Sequence, residues 1–307
     1  MAKFAGPAKQ ASSVAKALQG RAIRSVGTVR NYEQSLIKVA DYTINELRIS
    51  LRELTPDQAV EYLKARAGEV GQATLNMERQ AIQAMMVHVT GRLEPGATLP
   101  VIQAEVVPKL AAQSRMYTPD QVNLIADHQS DPHALATRIA YSAGLRAHEL
   151  FTLRPIEERP PDPRPVADSK FRGRDGIKYT VQGKGGLIRE VIIPHHLAGQ
   201  LEARQLDAPC QITDRGVYYQ QKYDIAGGQR WSNSFSAASK RILNWSAGAH
   251  GLRHSYAQLR MRELQSTGLS RDKALLTVSQ ELGHFRPEIT LTWGSDRVGA
   301  MIRHFTI

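Results

Sequence analysis

Alternation of polar and apolar residues, the mark of a half-buried strand, occurs in only two stretches of this 307-residue chain. Residues 178–182, KYTVQ, alternate. Residues 188–193, IREVII, do so less cleanly, and Pro194 ends the run. Between them lies Gly183-Lys184-Gly185-Gly186, which predicts a β-hairpin with Lys184 at its tip. Elsewhere apolar residues recur at helical spacing. The expected fold class is mainly α with a small antiparallel β-sheet.

The first part of the chain reads as helices alone. Residues 28–47 place Tyr32, Leu36, Val39, Ala40 and Leu47 near one face. Thr55-Pro56-Asp57 opens a second helix, with a threonine cap and proline at the first helical position. Residues 74–89 form a third, whose Met85 and Met86 read as core packing. Gly and Pro in residues 91–100 break the pattern, and VIQAEVVPKLAAQ predicts one more short helix. A domain boundary is expected near Ser114, giving domains of residues 1–114 and 115–307.

The second part restarts with Tyr117-Thr118-Pro119-Asp120, again a cap followed by proline. Helices are expected over 119–127 and 133–142. GLRAHELFTLRP then reads as a glycine turn entering a helix that Pro155 ends. Residues 155–176, rich in Pro, Arg and Asp, predict a long exposed loop. After the hairpin, helices are expected around 195–205, 233–244, 250–266 and 271–282.

Composition narrows the function. The net charge of +11 fits a polyanionic partner, and the excess falls in both parts of the chain. The single cysteine, Cys210, excludes an intrachain disulfide framework and a cysteine-based zinc site. No stretch approaches the roughly 20 apolar residues of a membrane span, and the first residues lack the apolar core of a signal peptide. A soluble, cytoplasmic protein with no membrane partner is expected.

Five polar residues in the second part stand at element edges: Arg146 in AGLRAHEL, Lys184 at the hairpin tip, His250 and Arg253 in HGLRHSYA, and His284 in LGHFRPEIT. Together they suit a phosphodiester. Arginine forks bind non-bridging phosphate oxygens and spread transition-state charge. A lysine on a hairpin can donate a proton to a leaving 5′ oxygen, and histidines can bond the phosphate or move the nucleophile's proton. His250 and His254 have zinc-ligand spacing, but the residues between them are Gly251, Leu252 and Arg253, without the glutamate of HExxH. The glycines around Lys184 do not make a P-loop.

The ordered run GLRxxEL, a strand–turn–strand with GKG, HxLRHSxA and LGH resembles the catalytic domain of tyrosine recombinases, the phage-type integrases, over roughly residues 115–293. The preceding helical segment resembles that family's core-binding domain. The resemblance implies a two-domain DNA clamp acting on double-stranded DNA as a homo-oligomer, usually a tetramer. No metal, ATP, other cofactor or small-molecule substrate is implied. It makes Arg146, Lys184, His250, Arg253 and His284 the phosphate pocket, with Glu149 a structural partner of Arg146. The family's tyrosine attacks a DNA phosphate, forms a 3′-phosphotyrosyl link and frees a 5′-hydroxyl. Attack by another strand then rejoins the DNA.

One position departs from the pattern. Nine residues beyond the LGH histidine, where the family's nucleophile stands, this chain has Trp293, and no tyrosine follows Tyr256. An indole has no ionisable hydroxyl. Tyr256 reads as a packing aromatic of its helix. The chain is therefore expected to bind DNA without cutting it, unless a partner protomer supplies a tyrosine. The alternative is a non-catalytic DNA-binding accessory or regulatory protein.

Overall fold

The computed structural model describes residues 4–20, 22–23, 25–106, 115–183 and 185–284. The chain divides into two compact units, Met1–Gln113 and Ser114–Ile307.

The first unit is helical. Helix α1 (Pro7–Leu18) starts at a proline after Gly6, where a missing N–H costs no hydrogen bond. Helix α2 (Val26–Tyr42) continues into one π-turn over Thr43–Leu47. Helix α3 (Pro56–Ala67) carries a complete capping box, with Thr55 and Gln58 exchanging side-chain and backbone hydrogen bonds. Helix α4 (Gln72–Met85) again ends in a π-turn, Met86–Thr90. Leu36, Val39, Leu63, Ile82, Met85 and Met86 are fully enclosed in one apolar cluster, so the methionine stripe is core. Buried among them, the Glu78 carboxylate accepts from Tyr62 OH (2.9 Å) and from Nε and Nη2 of Arg66 (3.2 and 3.0 Å).

One helix was not expected and one expectation changes. Helix α1 lacks a strong apolar run, because alanine supplies much of its buried face. The helix expected from Val101 onward is not found over residues 101–106, which run extended along α4; residues 107–113 lie outside the described residues. The Gln72 side chain explains the difference: it donates to Ile102 O (3.0 Å) and accepts from Ala104 N (2.8 Å). These bonds satisfy backbone groups that a helix would have paired internally.

The second unit begins with α5 (Pro119–Asp127), capped by Thr118 and Gln121, and α6 (Asp131–Ala143), which ends at Gly144 in the left-handed region (φ +61°). Strands β1 (Arg154–Pro155), β2 (Ile177–Gln182) and β3 (Ile188–Ile193) form an antiparallel sheet in that order. Helix α7 (His195–Glu202) follows, then a second antiparallel pair, β4 (Gln205–Asp214) and β5 (Val217–Tyr223). Helices α8 (Gly228–Leu243), α9 (His250–Ser266) and α10 (Arg271–Glu281) complete the described part. One apolar cluster spans α5, α6, the first sheet, α7, α8 and Leu252 at the start of α9. A smaller one joins α9 to α10 around Tyr256, Leu264 and Val278.

Three features of this unit depart from the sequence expectations. The stretch after Gly144 forms a turn and a short 3₁₀ helix, Glu149–Thr152, and not an α-helix. The β4–β5 pair has no counterpart in the expected fold: Pro209 lacks an N–H, and the register shifts between Gln205 and Cys210, which blurs the alternation. The loop after Pro155 is tied to α10, with Ala167 N bonding Gln280 Oε1 (2.8 Å), Phe171 N bonding Glu281 Oε1 (2.8 Å), and Ser169 meeting Thr277 (2.6 Å).

Candidate functional site

The site is built where α6 ends. A side chain at Gly144 would come within 2.8 Å of the Tyr256 ring and 2.9 Å of Leu282, so only glycine fits this left-handed turn. The chain leaves it as Leu145-Arg146 and is closed at once by Glu149. That carboxylate accepts from Arg146 N (2.8 Å) and from Arg146 Nη1 (2.7 Å). Glu149 N also donates to Arg146 O (3.0 Å), the backbone bond between residues three apart that marks a 3₁₀-type turn.

Glu149 is fully buried, and a second arginine reaches it: Arg189 Nη2 donates to Oε2 at 2.7 Å. Arg253 Nη1 lies 3.8 Å from the same oxygen. Burial pushes the Glu149 pKa up, but Arg189, Arg253 and Arg146 outweigh it and hold the carboxyl well below the usual range. Three guanidinium groups therefore surround one carboxylate, and the cluster keeps surplus positive charge.

Arg253, on α9, is enclosed completely. It donates to Gly144 O (2.5 Å) at the end of α6 and to Leu282 O just beyond α10. Arg189 likewise donates to Glu281 O (2.6 Å) and Gly144 O (3.3 Å). Beyond Gly283 (φ +70°) the chain presents His284. Its Nε2 lies 3.0 Å from Arg146 Nη2 and 3.5 Å from Arg253 Nη2. Arginine can only donate, so Nε2 accepts and the imidazole is neutral. Desolvation first, then Arg253, Arg146 and Arg189, lower the His284 pKa to about 4.

His250 is the first residue of α9, one turn before Arg253, and is exposed. Its ring meets that of His254 edge-on at 5.2 Å. Desolvation by neighbouring atoms, followed by His254, Arg253, Arg146 and Arg115, lowers its pKa to about 4. Gly251 beside it is required by close packing, since a side chain there would meet Arg115 O at 2.5 Å.

The structure thus brings Arg146, Arg253 and His284 into contact, with Glu149 among them and His250 within the same field. Lys184 and Trp293 lie outside the described residues. The residue before Lys184 is at the site, because a side chain on Gly183 would sit 3.4 Å from Glu149 Oε1 and 3.7 Å from Arg146 Nη1. Tyr256 is not: buried, it gives its hydroxyl to Glu281 Oε2 (2.8 Å), and its pKa is pushed up by burial and then by Glu281. Arg189 was missed in sequence, although strand parity puts it on the same face as the buried Val191 and Ile193.

Among the described residues no group of three or more His, Cys, Asp or Glu side chains is placed to hold a metal ion, and no helix is long and apolar enough to cross a membrane. No family model and no curated protein matches the chain. Solved structures do. The XerH site-specific recombinase bound to palindromic difH substrate, in its post-cleavage complex, superposes with a TM-score of 0.54 at 14% identity, covering 97% of this chain and 94% of that one. A lambda integrase dimer bound to a COC′ core site gives 0.55 at 16% identity, over 92% and 96%. The chain has the tyrosine recombinase fold. The Tn1549 transposon integrase in complex with circular intermediate DNA gives 0.50 at 13% identity, over 97% and 99%. At these identities the tyrosine recombinase likeness is one of fold, and the chemistry is argued from the site.

Proposed function

We propose that the chain is a site-specific recombination or integration protein that binds double-stranded DNA and seats one backbone phosphate at Arg146, Arg253 and His284. One observation carries the reading: two guanidinium groups from different elements meet at a single imidazole nitrogen, at 3.0 and 3.5 Å. An entering phosphate offers those donors a charged acceptor in place of the neutral ring, and charge-assisted bonds are the stronger. Lys184, which follows Gly183 at this site, and His250 complete the pocket. Residues 1–114 serve as the core-binding domain and residues 115–307 as the catalytic domain. The protein works in the cytoplasm of a bacterial cell as a homo-oligomer, in the manner of the tetramers of this family.

Strand cutting in this reading needs a hydroxyl nucleophile, and Trp293 cannot supply one. The chain therefore holds DNA without cutting it, unless a partner protomer provides a tyrosine. The test has two parts. Fluorescence anisotropy with a mixed-sequence duplex should show binding that weakens steeply with salt, and an affinity flat from low to high salt contradicts the reading. A pool of nicked suicide duplexes should then yield no denaturation-resistant protein–DNA adduct. An adduct formed by this chain alone overturns the cleavage defect. Trp293→Tyr is the matching gain-of-function variant, and adduct formation by it supports the assignment of that position.

A further inference from the structure

The β4–β5 hairpin lies close to the phosphate pocket and is fastened there. Its loop is Arg215-Gly216, with both residues in the left-handed region (φ 52° and 79°). Asp214 Oδ1 accepts from Gln229 N (2.9 Å) at the start of α8, and Gly228 N donates to Ala147 O (2.8 Å), next to Arg146. Gly228 is itself left-handed (φ +58°), and a side chain there would meet Asp214 and Phe151 at 2.6–2.7 Å. Tyr219, three residues beyond the turn, packs on Phe151 (5.5 Å) and His148 (6.4 Å). The tip is thus held by contacts to α8 and to the segment carrying Arg146.

Arginine is a costly choice at this turn. Loops of this kind favour Asn, Asp or Gly at the first position, where a left-handed backbone is least strained. The Arg215 side chain is nonetheless oriented, its Nε donating to Asp214 Oδ2 (3.1 Å) and its Nη1 to Gln229 Oε1 (3.4 Å). It remains 44% exposed, so its charge faces solvent where a ligand can reach it. Desolvation first, then the cations Arg146, Arg215 and Arg253, lower the pKa of His148, offset in part by Glu149.

We propose that Arg215 forms a second phosphate subsite, holding a neighbouring backbone phosphate of the same duplex whose other phosphate occupies the Arg146–Arg253–His284 pocket. The inference rests on the DNA-binding reading above. A turn anchored at Asp214 and Gly228 presents the cation at a fixed place, whereas a free surface arginine spends side-chain entropy on every contact.

The test compares the full-length chain with Arg215→Asn and Arg215→Lys on a mixed-sequence duplex across a salt series. Asparagine keeps the left-handed turn and removes the charge; lysine restores it. Arg215→Asn should weaken binding roughly 3- to 10-fold near 0.1 M salt and reduce the log–log salt slope by about 0.9, the value of one lost phosphate contact. Arg215→Lys should retain most of the slope. Thermal unfolding of Arg215→Asn should match the unaltered chain. If Arg215→Asn binds with unchanged affinity and slope, the subsite is wrong while the proposed function stands. If the unaltered chain fails to bind the duplex, the proposed function falls and takes the subsite with it.

Discussion

His284 Nε2 lies 3.0 Å from Arg146 Nη2, so the imidazole accepts a hydrogen bond from a cation and stays neutral at physiological pH. Protonating it sets a third positive charge beside Arg146 and Arg253.

A pH dependence of stability follows. The pKa of His284 is lowered to about 4 in the fold, below its unfolded value, so the unfolded chain binds the proton more readily between these two values. Stability is fully present above the unfolded pKa and is lost as pH falls toward the folded one. Urea denaturation at pH 7 and pH 5 should show the unaltered chain losing more stability across that interval than His284→Gln does.

The Glu149 carboxylate contacts Arg146, Arg189 and Arg253. Glu149→Gln keeps the shape and removes the charge, leaving buried cations uncompensated. A loss of about 3–5 kcal/mol in urea denaturation is expected, typical of breaking a buried ion pair. A loss within error of zero would mean that solvent, and not Glu149, balances the arginines.

Gly251→Ala tests the packing behind the motif. The new methyl group would meet the Arg115 carbonyl and the Tyr117 ring at 2.5 Å. Overpacking of this kind should cost roughly 1–3 kcal/mol, read as a lower melting temperature.

Tyr256→Phe separates structure from chemistry. It removes one bond to Glu281, which still accepts from Arg260 Nε (2.9 Å) and Phe171 N (2.8 Å). The expected cost is about 1.5–3 kcal/mol, the range for a hydrogen bond to a charged group. DNA affinity and its salt slope should be unchanged. A fall in DNA affinity at equal stability would put the phenol at the phosphate.

What could be read in the sequence was what local chemistry decides. Thr55 and Thr118 each precede a proline and a capping glutamine, and both open helices where expected. The hairpin around Gly183 was legible because two glycine-flanked strands need no distant partner. The pocket arginines and His284 were legible only as a resemblance, since their meeting depends on carbonyls of Gly144 and Leu282 far along the chain. The β4–β5 pair was hidden by Pro209 and by an arginine in a turn that usually takes asparagine or glycine. Strand parity sets Arg189 on the face of Val191 and Ile193, but its partner Glu149 lies 40 residues away in the chain, so its role is visible only in the fold.

The carbonyl partners of Arg253 and Arg189 have a consequence for how such a chain changes over time. These two side chains join the end of α6 to the end of α10, across the gap between the larger apolar cluster and the smaller one. They are mortar. A chain that does no chemistry here would still be obliged to keep them in order to fold, so their presence in a sequence testifies to architecture and not, by itself, to turnover.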